Sequence, residues 1–411
     1  MVVTHFSTYN YGGAYRAAER LYNNLFGLCD KKYRAHLVSK DQSKTNNPTI
    51  YKRLTKRFFE KISIQYDWEI EVYKNEVKRV RSEILEMANL PVSNVDITSL
   101  AEYKKCDIVH FHWVADFLDW PTFFKKNTKP VVWTLHDRNP FLGVEHVKDD
   151  ILGIDSKGNP ISRIRSIEEL TVEEKWMKLK KQSISQCKNI HIVSPSRWIY
   201  QEAIVSDMFN QFSHYYIPNS VPSEIYKLKS KIESRNTFSI PPDKIVLLFV
   251  ADAMNKLHKG YIFLQKAIEN LKNTDIILCS VGKSNKVIQS ENIIHIDYVK
   301  DETVMAELYS AADAFIIPSL EDNLPNTMLE SLMCGTPVIG FPVGGIDETI
   351  EDGVNGYLCD EISVNALERV IEKFIVNKSF FNREEIALAA NERFSSEKQA
   401  LAYLELYRSI I

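Results

Sequence analysis

The segment Ser319-Leu320-Glu321-Asp322-Asn323-Leu324-Pro325-Asn326-Thr327-Met328-Leu329-Glu330 follows directly on the apolar run Ala314–Pro318 and leads into Cys334-Gly335-Thr336-Pro337 and a second apolar run, Val338–Phe341. It reads as strand, loop, helix, tight turn and strand, the repeating unit of a parallel sheet covered by helices. Pro325 suits a first helical turn, so the backbone N–H groups around Asn323 to Asn326 point above the carboxyl end of the preceding strand and make an anion site. Glu330 lies about five residues into the helix, roughly 7.5 Å further along its axis than Pro325. Asp322 and Glu330 can therefore touch different parts of one extended ligand.

Working outward, the same alternation fills the chain. In the second half, Lys244–Val250, Asp275–Cys279, Ile293–Ile296, Ala314–Pro318 and Val338–Phe341 read as strands, with helices such as Gly260–Leu271 and Asn365–Val376 between them. In the first half, Val2–Phe6, Ala35–Val38, Asp107–Trp113, Val131–Leu135 and Asn189–Ser194 carry the β-branched content of buried parallel strands. Ile217-Pro218-Asn219-Ser220-Val221-Pro222 has the composition of a linker. The expectation is an α/β protein of two doubly wound, Rossmann-like parallel-sheet domains, 1–216 and 217–394, facing a ligand cleft. A last helix, 395–411, opens on a Ser-Ser-Glu cap signal and repeats apolar residues at Ala400, Leu401, Leu404, Leu406 and Tyr407. It needs a surface to pack on, in either domain, and packing back on the first is one of the two options.

With 411 residues the chain exceeds what one core supports, which agrees with two domains. Its 45% hydrophobic and 26% charged content is that of an ordinary globular protein, and a net charge of -3 gives no sign of a nucleic-acid partner. Six cysteines, at 29, 106, 187, 279, 334 and 359, form no CxxC pair and read as reduced. The N-terminus has no basic region followed by an apolar run, and no window approaches about 20 apolar residues, so a cytoplasmic location is expected. From Tyr51 to Leu90 the pattern is helical, with Lys52, Arg53, Lys56, Arg57 and Lys61 beside Phe58, Phe59, Ile62 and Ile64. Such a helix either packs on the sheet or makes peripheral contact with an anionic membrane.

The spacing of Asp322 and Glu330, with seven residues between them, resembles the signature of glycosyltransferase family 4, retaining enzymes of the GT-B fold. In that family the first acid contacts hydroxyls of the transferred sugar and the second holds the ribose of the nucleotide. The resemblance carries those roles to Asp322 and Glu330. The first acid is more usually Glu, whereas Asp-Asn-Leu-Pro-Asn resembles a subset known from capsule and exopolysaccharide enzymes. Val343-Gly344-Gly345-Ile346-Asp347-Glu348-Thr349-Ile350 and Asp352-Gly353-Val354-Asn355-Gly356-Tyr357-Leu358 also match the family's second half. The family places an Arg and a Lys on the diphosphate. Lys259, before Gly260, matches the Lys, while the Arg is missing and His258 or Lys256 stands nearest to its place. His258 would serve best when protonated. Gly12-Gly13 resembles the family's glycine loop facing the phosphates, and His136, in Trp133-Thr134-Leu135-His136-Asp137, its histidine near the transferred sugar.

The resemblance implies a retaining transfer of a sugar from a nucleoside-diphosphate donor to a glycan or lipid-linked acceptor, in bacterial surface polysaccharide synthesis. Donor contacts fall to Gly13, His258, Lys259, Asp322, Asn323, Leu324, Pro325, Asn326 and Glu330, with His136, Asp322 and Lys259 nearest the chemistry. A GT-B nucleotide-sugar epimerase and a non-catalytic sugar-nucleotide-binding subunit are the alternatives. A nicotinamide-dependent oxidoreductase is disfavoured because no first strand runs into GxGxxG. His110 and His112 alternate along one strand and face one side, but no third ligand is evident beside them. The segment Arg138–Arg165, where related sequences carry a cysteine-bearing insert, has no cysteine. Neither metal nor cofactor is therefore expected. The donor's base and sugar lie on loops whose sequence does not report them.

Overall fold

The structure, a computed structural model, describes residues 1–28, 33–40, 53–82, 85, 88–148, 151–283 and 292–411, with backbone alone over 53–66. The β-branched runs form two six-stranded sheets, parallel throughout. The first has the order β2-β1-β3-β4-β7-β8, from β1 (Val2–Ser7), β2 (Arg34–Ser39), β3 (Ile108–Phe111), β4 (Val131–Thr134), β7 (Ile190–Ser194) and β8 (Ser213–Tyr216). The second has the order β11-β10-β9-β12-β13-β14, from β9 (Ile245–Ala253), β10 (Ile276–Lys283), β11 (Ile293–Ile296), β12 (Ala314–Ile317), β13 (Val338–Gly340) and β14 (Gly356–Leu358). Between β4 and β7 a small antiparallel hairpin, β5 (Ile151–Ile154) with β6 (Pro160–Ser162), stands outside both sheets. Expected strands and observed strands agree to within a few residues. β8, β14 and the hairpin were not foreseen: Ser-His-Tyr-Tyr and Gly-Tyr-Leu are too short or too polar to announce themselves.

Each sheet has its own core. Leu247, Leu248, Leu278, Phe315, Ile316 and Ile339 are all but fully buried in the second domain. Phe6, Val109, Phe111, Val131, Trp133 and Ile192 are so in the first. The chain crosses between domains at Ile217–Pro222 and returns at Phe394–Ser396, where Val221 N donates to Phe394 O (3.0 Å) and pairs with Ser395. The returning helix, Ser396–Ile410, lies on the first domain against the Gly12–Leu28 helix. It buries Tyr403, Leu404 and Tyr407 with Val3, Leu21 and Leu25. Each buried aliphatic side chain there is worth about 1.5–3 kcal/mol, so the last helix fastens the two crossings together.

The Tyr51–Leu90 pattern yields one helix, Arg53–Val80. Its basic and aromatic side chains up to residue 66, the part relevant to membrane contact, lie outside the described residues, as does Cys29. The five described cysteines are free. Among the described residues no helix is long and apolar enough to cross a membrane.

Candidate active site

The carboxyl edges of the two sheets face each other across a cavity of about 630 Å³. Every residue singled out as a donor contact lines it: Gly13 and His136 on the first-domain wall, and His258, Lys259, Asp322, Asn323, Leu324, Pro325, Asn326 and Glu330 on the second.

The second-domain wall is shaped by backbone packing that only glycine permits. Gly260 has φ +67°, and a Cβ there would lie 1.7 Å from Pro318 O. The loop bearing Lys259 is thereby laid on the end of β12, and Leu320 N donates to His258 O (2.8 Å). A Cβ on Gly344 or Gly345 would come within 1.9 Å of Asp322 O or Asn323 O, respectively. These two glycines thus support the 322–324 loop from beneath. The Asn326–Met333 helix begins after Pro325, which is its cap residue and offers no capping side chain. Its first amides open onto the wall formed by Asn326 and Thr327. Facing them, Gly12 (φ +86°) starts the Gly12–Leu28 helix on the other wall.

Both acids of the spaced pair have cationic partners. Lys259 Nζ donates to Asp322 Oδ2 (2.6 Å), and Ser319 Oγ donates to the same oxygen (3.3 Å). Glu330 is 1% exposed, accepting from Arg20 Nη2 (2.7 Å) and Tyr309 Oη (3.0 Å). Arg20 comes from the first domain, also pairs with Glu302, and lies over the Tyr226 ring at 5.3 Å. Burial and the Glu330 carboxylate push the Tyr309 hydroxyl well above its usual value. Arg16, one helical turn before Arg20, lines the cavity and donates to Tyr298 Oη (3.2 Å). Burial works most strongly against its charge, but Glu330, Tyr298 and Tyr226 together outweigh that and hold the guanidinium above its ordinary pKa. The sequence reading missed Arg16 and Arg20. Their signal was the spacing Gly12-Gly13-x-x-Arg16-x-x-x-Arg20, two arginines on one helix face beginning at the glycine loop.

Several expected donor residues also bridge the domains. Asn323 accepts from Ser196 Oγ (2.6 Å) and donates to Leu135 O (2.8 Å), while Asn326 donates to Gly13 O (2.9 Å). Asn219, in the linker, donates to Leu324 O (3.3 Å), and Arg138 donates to Glu321 (2.8 Å).

On the first-domain wall the rings of Tyr11, Tyr9, Trp113 and His146 stack in succession. Asp137 accepts from Trp113 Nε1 (2.6 Å) and contacts His146 Nδ1 (2.6 Å). Although burial opposes it, these partners lower the Asp137 pKa. The absence of a third imidazole beside His110 and His112 was an error of the sequence reading. β1 pairs with β3 and brings His5 alongside, so that ring nitrogens of all three lie within 4.8 Å of one another. Sequence separation hid it. Both nitrogens of His110 are nevertheless engaged by hydroxyls, Tyr407 Oη at 2.7 Å and Thr134 Oγ1 at 2.8 Å.

Residues 244–377 match the family Glycosyl transferases group 1. A D-inositol 3-phosphate glycosyltransferase of Streptosporangium roseum is 22% identical over 298 residues, covering 67% of this chain and 63% of that protein. An N-acetyl-alpha-D-glucosaminyl L-malate synthase of Bacillus anthracis is 22% identical over 202 residues, 47% of this chain and 53% of that protein. The chain thus spans somewhat under two thirds of the length of the first of these relatives and about half of the second. Among solved structures, sucrose-phosphate synthase from Thermosynechococcus elongatus superposes with a TM-score of 0.69 at 16% identity, covering 100% of this chain and 99% of that one. Anabaena HepE in complex with UDP gives 0.63 at 13% identity, with full coverage of both chains. The fold is GT-B.

Proposed function

We propose that this protein is a retaining glycosyltransferase that moves a sugar from a nucleoside-diphosphate donor to a glycan or lipid-linked acceptor in surface polysaccharide synthesis. The observation that carries the reading is the convergence of Lys259, Asp322, Glu330 and two helix N-termini on one interdomain cleft. The match of residues 244–377 to group 1 glycosyl transferases supports it. The neighbour bound to UDP makes a nucleotide ligand the natural expectation for such a cleft.

In this reading the anomeric carbon–oxygen bond to the diphosphate breaks, and its electron pair leaves with the nucleoside diphosphate. The acceptor oxygen bonds to the same face of the sugar, and its proton passes to an oxygen of the departing phosphate. That route needs no protein nucleophile and retains the anomeric configuration. The charge that develops on the diphosphate is met by Lys259, by Arg16 in place of the missing family arginine, and by the amides at the start of the Asn326–Met333 helix. Asp322 and His136 hold hydroxyls of the sugar, and Glu330 takes the ribose with lone pairs not used by Arg20 and Tyr309. These groups supply the positive charge from the chain itself, so transfer should persist in EDTA. The reading takes the reaction to be cytoplasmic, where nucleotide sugars are made, and at the membrane face for a lipid-linked acceptor.

The test is a screen of UDP- and GDP-sugars without acceptor. Slow hydrolysis of one donor with release of the nucleoside diphosphate is expected, and conversion to an epimeric nucleotide sugar would refute the reading. Lys259→Ala should lower turnover at least tenfold and Glu330→Ala should weaken donor binding. Unchanged values would remove those assignments.

A further inference from the structure

Behind His136 runs a chain of imidazoles that the proposed reaction does not use. His112 Nδ1 lies 3.1 Å from His136 Nε2, and His112 Nε2 lies 3.1 Å from His5 Nδ1. In both pairs the ring centroids are 5.4 Å apart, with planes 28° from parallel for His112–His136 and 18° for His5–His112. A nitrogen separation so much shorter than the centroid separation, at so small a tilt, means that the rings meet end to end, as hydrogen-bonded imidazoles do. His5 and His112 are buried, and burial keeps both neutral near pH 7. The far end, His5 Nε2, is buried with no partner among the described residues, so protons have no exit there.

A neutral imidazole carries one N–H and one lone pair. Each of the two contacts needs one proton between its nitrogens. Together these conditions couple the three rings. If His5 donates from Nδ1, then His112 donates from Nδ1 and His136 presents Nδ1–H to the cleft. If His136 donates from Nε2, then His112 donates from Nε2, His5 holds its proton at Nε2, and His136 presents a lone pair. No mixed arrangement keeps both bonds. We propose that His5 and His112 are positioning residues whose dead-ended chain locks the His136 ring into one tautomer, so that the nitrogen facing the ligand has a fixed hydrogen-bonding sense. A sugar hydroxyl bound there is then oriented as well as held. The same commitments answer the metal reading of these histidines: both nitrogens of His112 are used by neighbouring rings, and both of His110 by hydroxyls.

The inference rests on the proposed function only for its kinetic consequence, and its decisive test needs no substrate. In protein labelled with 15N-histidine, two-bond proton–nitrogen correlations distinguish Nδ1–H from Nε2–H rings. Signals of His5, His112 and His136 are assigned from single substitutions. The expected spectrum shows one tautomer for each of the three rings, and the same one. Two different tautomers within the chain, or a His136 ring averaging between both, would overturn the proposal. In His112→Leu the His136 ring should pass into exchange between tautomers, and a ring still locked would equally overturn it. Donor hydrolysis by His112→Leu should fall about tenfold, the loss of roughly one oriented hydrogen bond, while affinity for the nucleoside diphosphate stays unchanged. If that variant does not fold, the wild-type spectrum alone decides.

Discussion

Acid should unfold the first domain before the second, and the buried imidazoles set the size of the effect. His5 on β1, His110 on β3 and His112 just beyond it are buried, and His5 and His110 lie against Tyr407 of the last helix. Burial lowers His5 to about 3 and the other two well below their ordinary value. In the unfolded chain each takes up a proton near pH 6.5, whereas in the folded domain none does so until far lower pH. Stability from these groups is therefore complete above about pH 6.5 and is lost as the pH falls toward 3. For His5, lowered to about 3, protonation of the unfolded ring at pH 5 is worth about RT ln(1 + 10^1.5), close to 2 kcal/mol, and His110 and His112 act in the same direction. His136 touches the cleft, where water softens the effect, and adds less. The His5 share alone is a sizeable part of the stability of an ordinary domain, about 5–15 kcal/mol.

The tryptophans make this measurable. All six, Trp68, Trp113, Trp120, Trp133, Trp176 and Trp198, lie in the first domain, and Trp198 also touches the second, through Glu348, so urea unfolding followed by their fluorescence reports mainly the first domain. The transition should move to much lower urea between pH 7 and pH 5. In His5→Leu the stability difference between the two pH values should shrink by about 2 kcal/mol. A midpoint that does not respond to pH, or a pH response undiminished in His5→Leu, would show that these rings are not held neutral by burial.

Arg16→Ala should weaken nucleoside-diphosphate binding about tenfold or more while leaving the nucleoside alone unaffected, as calorimetry would show, because a charge-assisted bond to phosphate is lost. An equal loss for both ligands would contradict a phosphate role. Gly345→Ala places a Cβ 1.9 Å from Asn323 O, so the 322–324 loop must move. Strain of about 1–3 kcal/mol should appear as a lower melting temperature together with weakened donor binding, and wild-type values of both would show that the loop yields freely.

The fold was legible because its determinants are local. Buried parallel strands are continuous β-branched runs, and the Ser319–Gly345 stretch carries its turn chemistry in the open. What escaped has one physical cause, that side chains brought together by topology leave no local trace. His5 and His112 are 107 residues apart yet share a hydrogen bond. Arg20 and Glu330 are 310 apart and form a buried ion pair. Glu330 by itself reads as an exposed helix acid, and only its first-domain partner explains a position at 1% exposure. Asn323 and Asn326 were legible as cleft residues but not as bridges between domains, since their partners, Ser196, Leu135 O and Gly13 O, are fixed by how the two sheets face one another. Removing Arg20 would leave a buried carboxylate without its cation, which is more costly than the pair is favourable.

The two acids therefore differ in what a ligand must do to reach them. Glu330 keeps Arg20 through buried contacts and is held ready, whereas Asp322 is tied to the cation assigned to the diphosphate, in a pair whose side chains are 15% and 26% exposed. In the proposed reaction an arriving diphosphate would draw Lys259 away and so free Asp322 for the sugar. On that proposal nucleotide binding and sugar positioning would be successive uses of one ion pair. Asp322→Asn separates them, because the neutral amide removes the Asp322 charge from Lys259 and weakens its hold on that cation. A partly exposed pair of this kind is worth up to about 1 kcal/mol, so the bare nucleoside diphosphate should bind the variant about two- to fivefold more tightly. Hydrolysis of the intact nucleotide sugar should fall at the same time, since the carboxylate that orders the sugar is gone. A variant that binds the nucleoside diphosphate more weakly than the wild type would show that Lys259 is not shared between Asp322 and the phosphates.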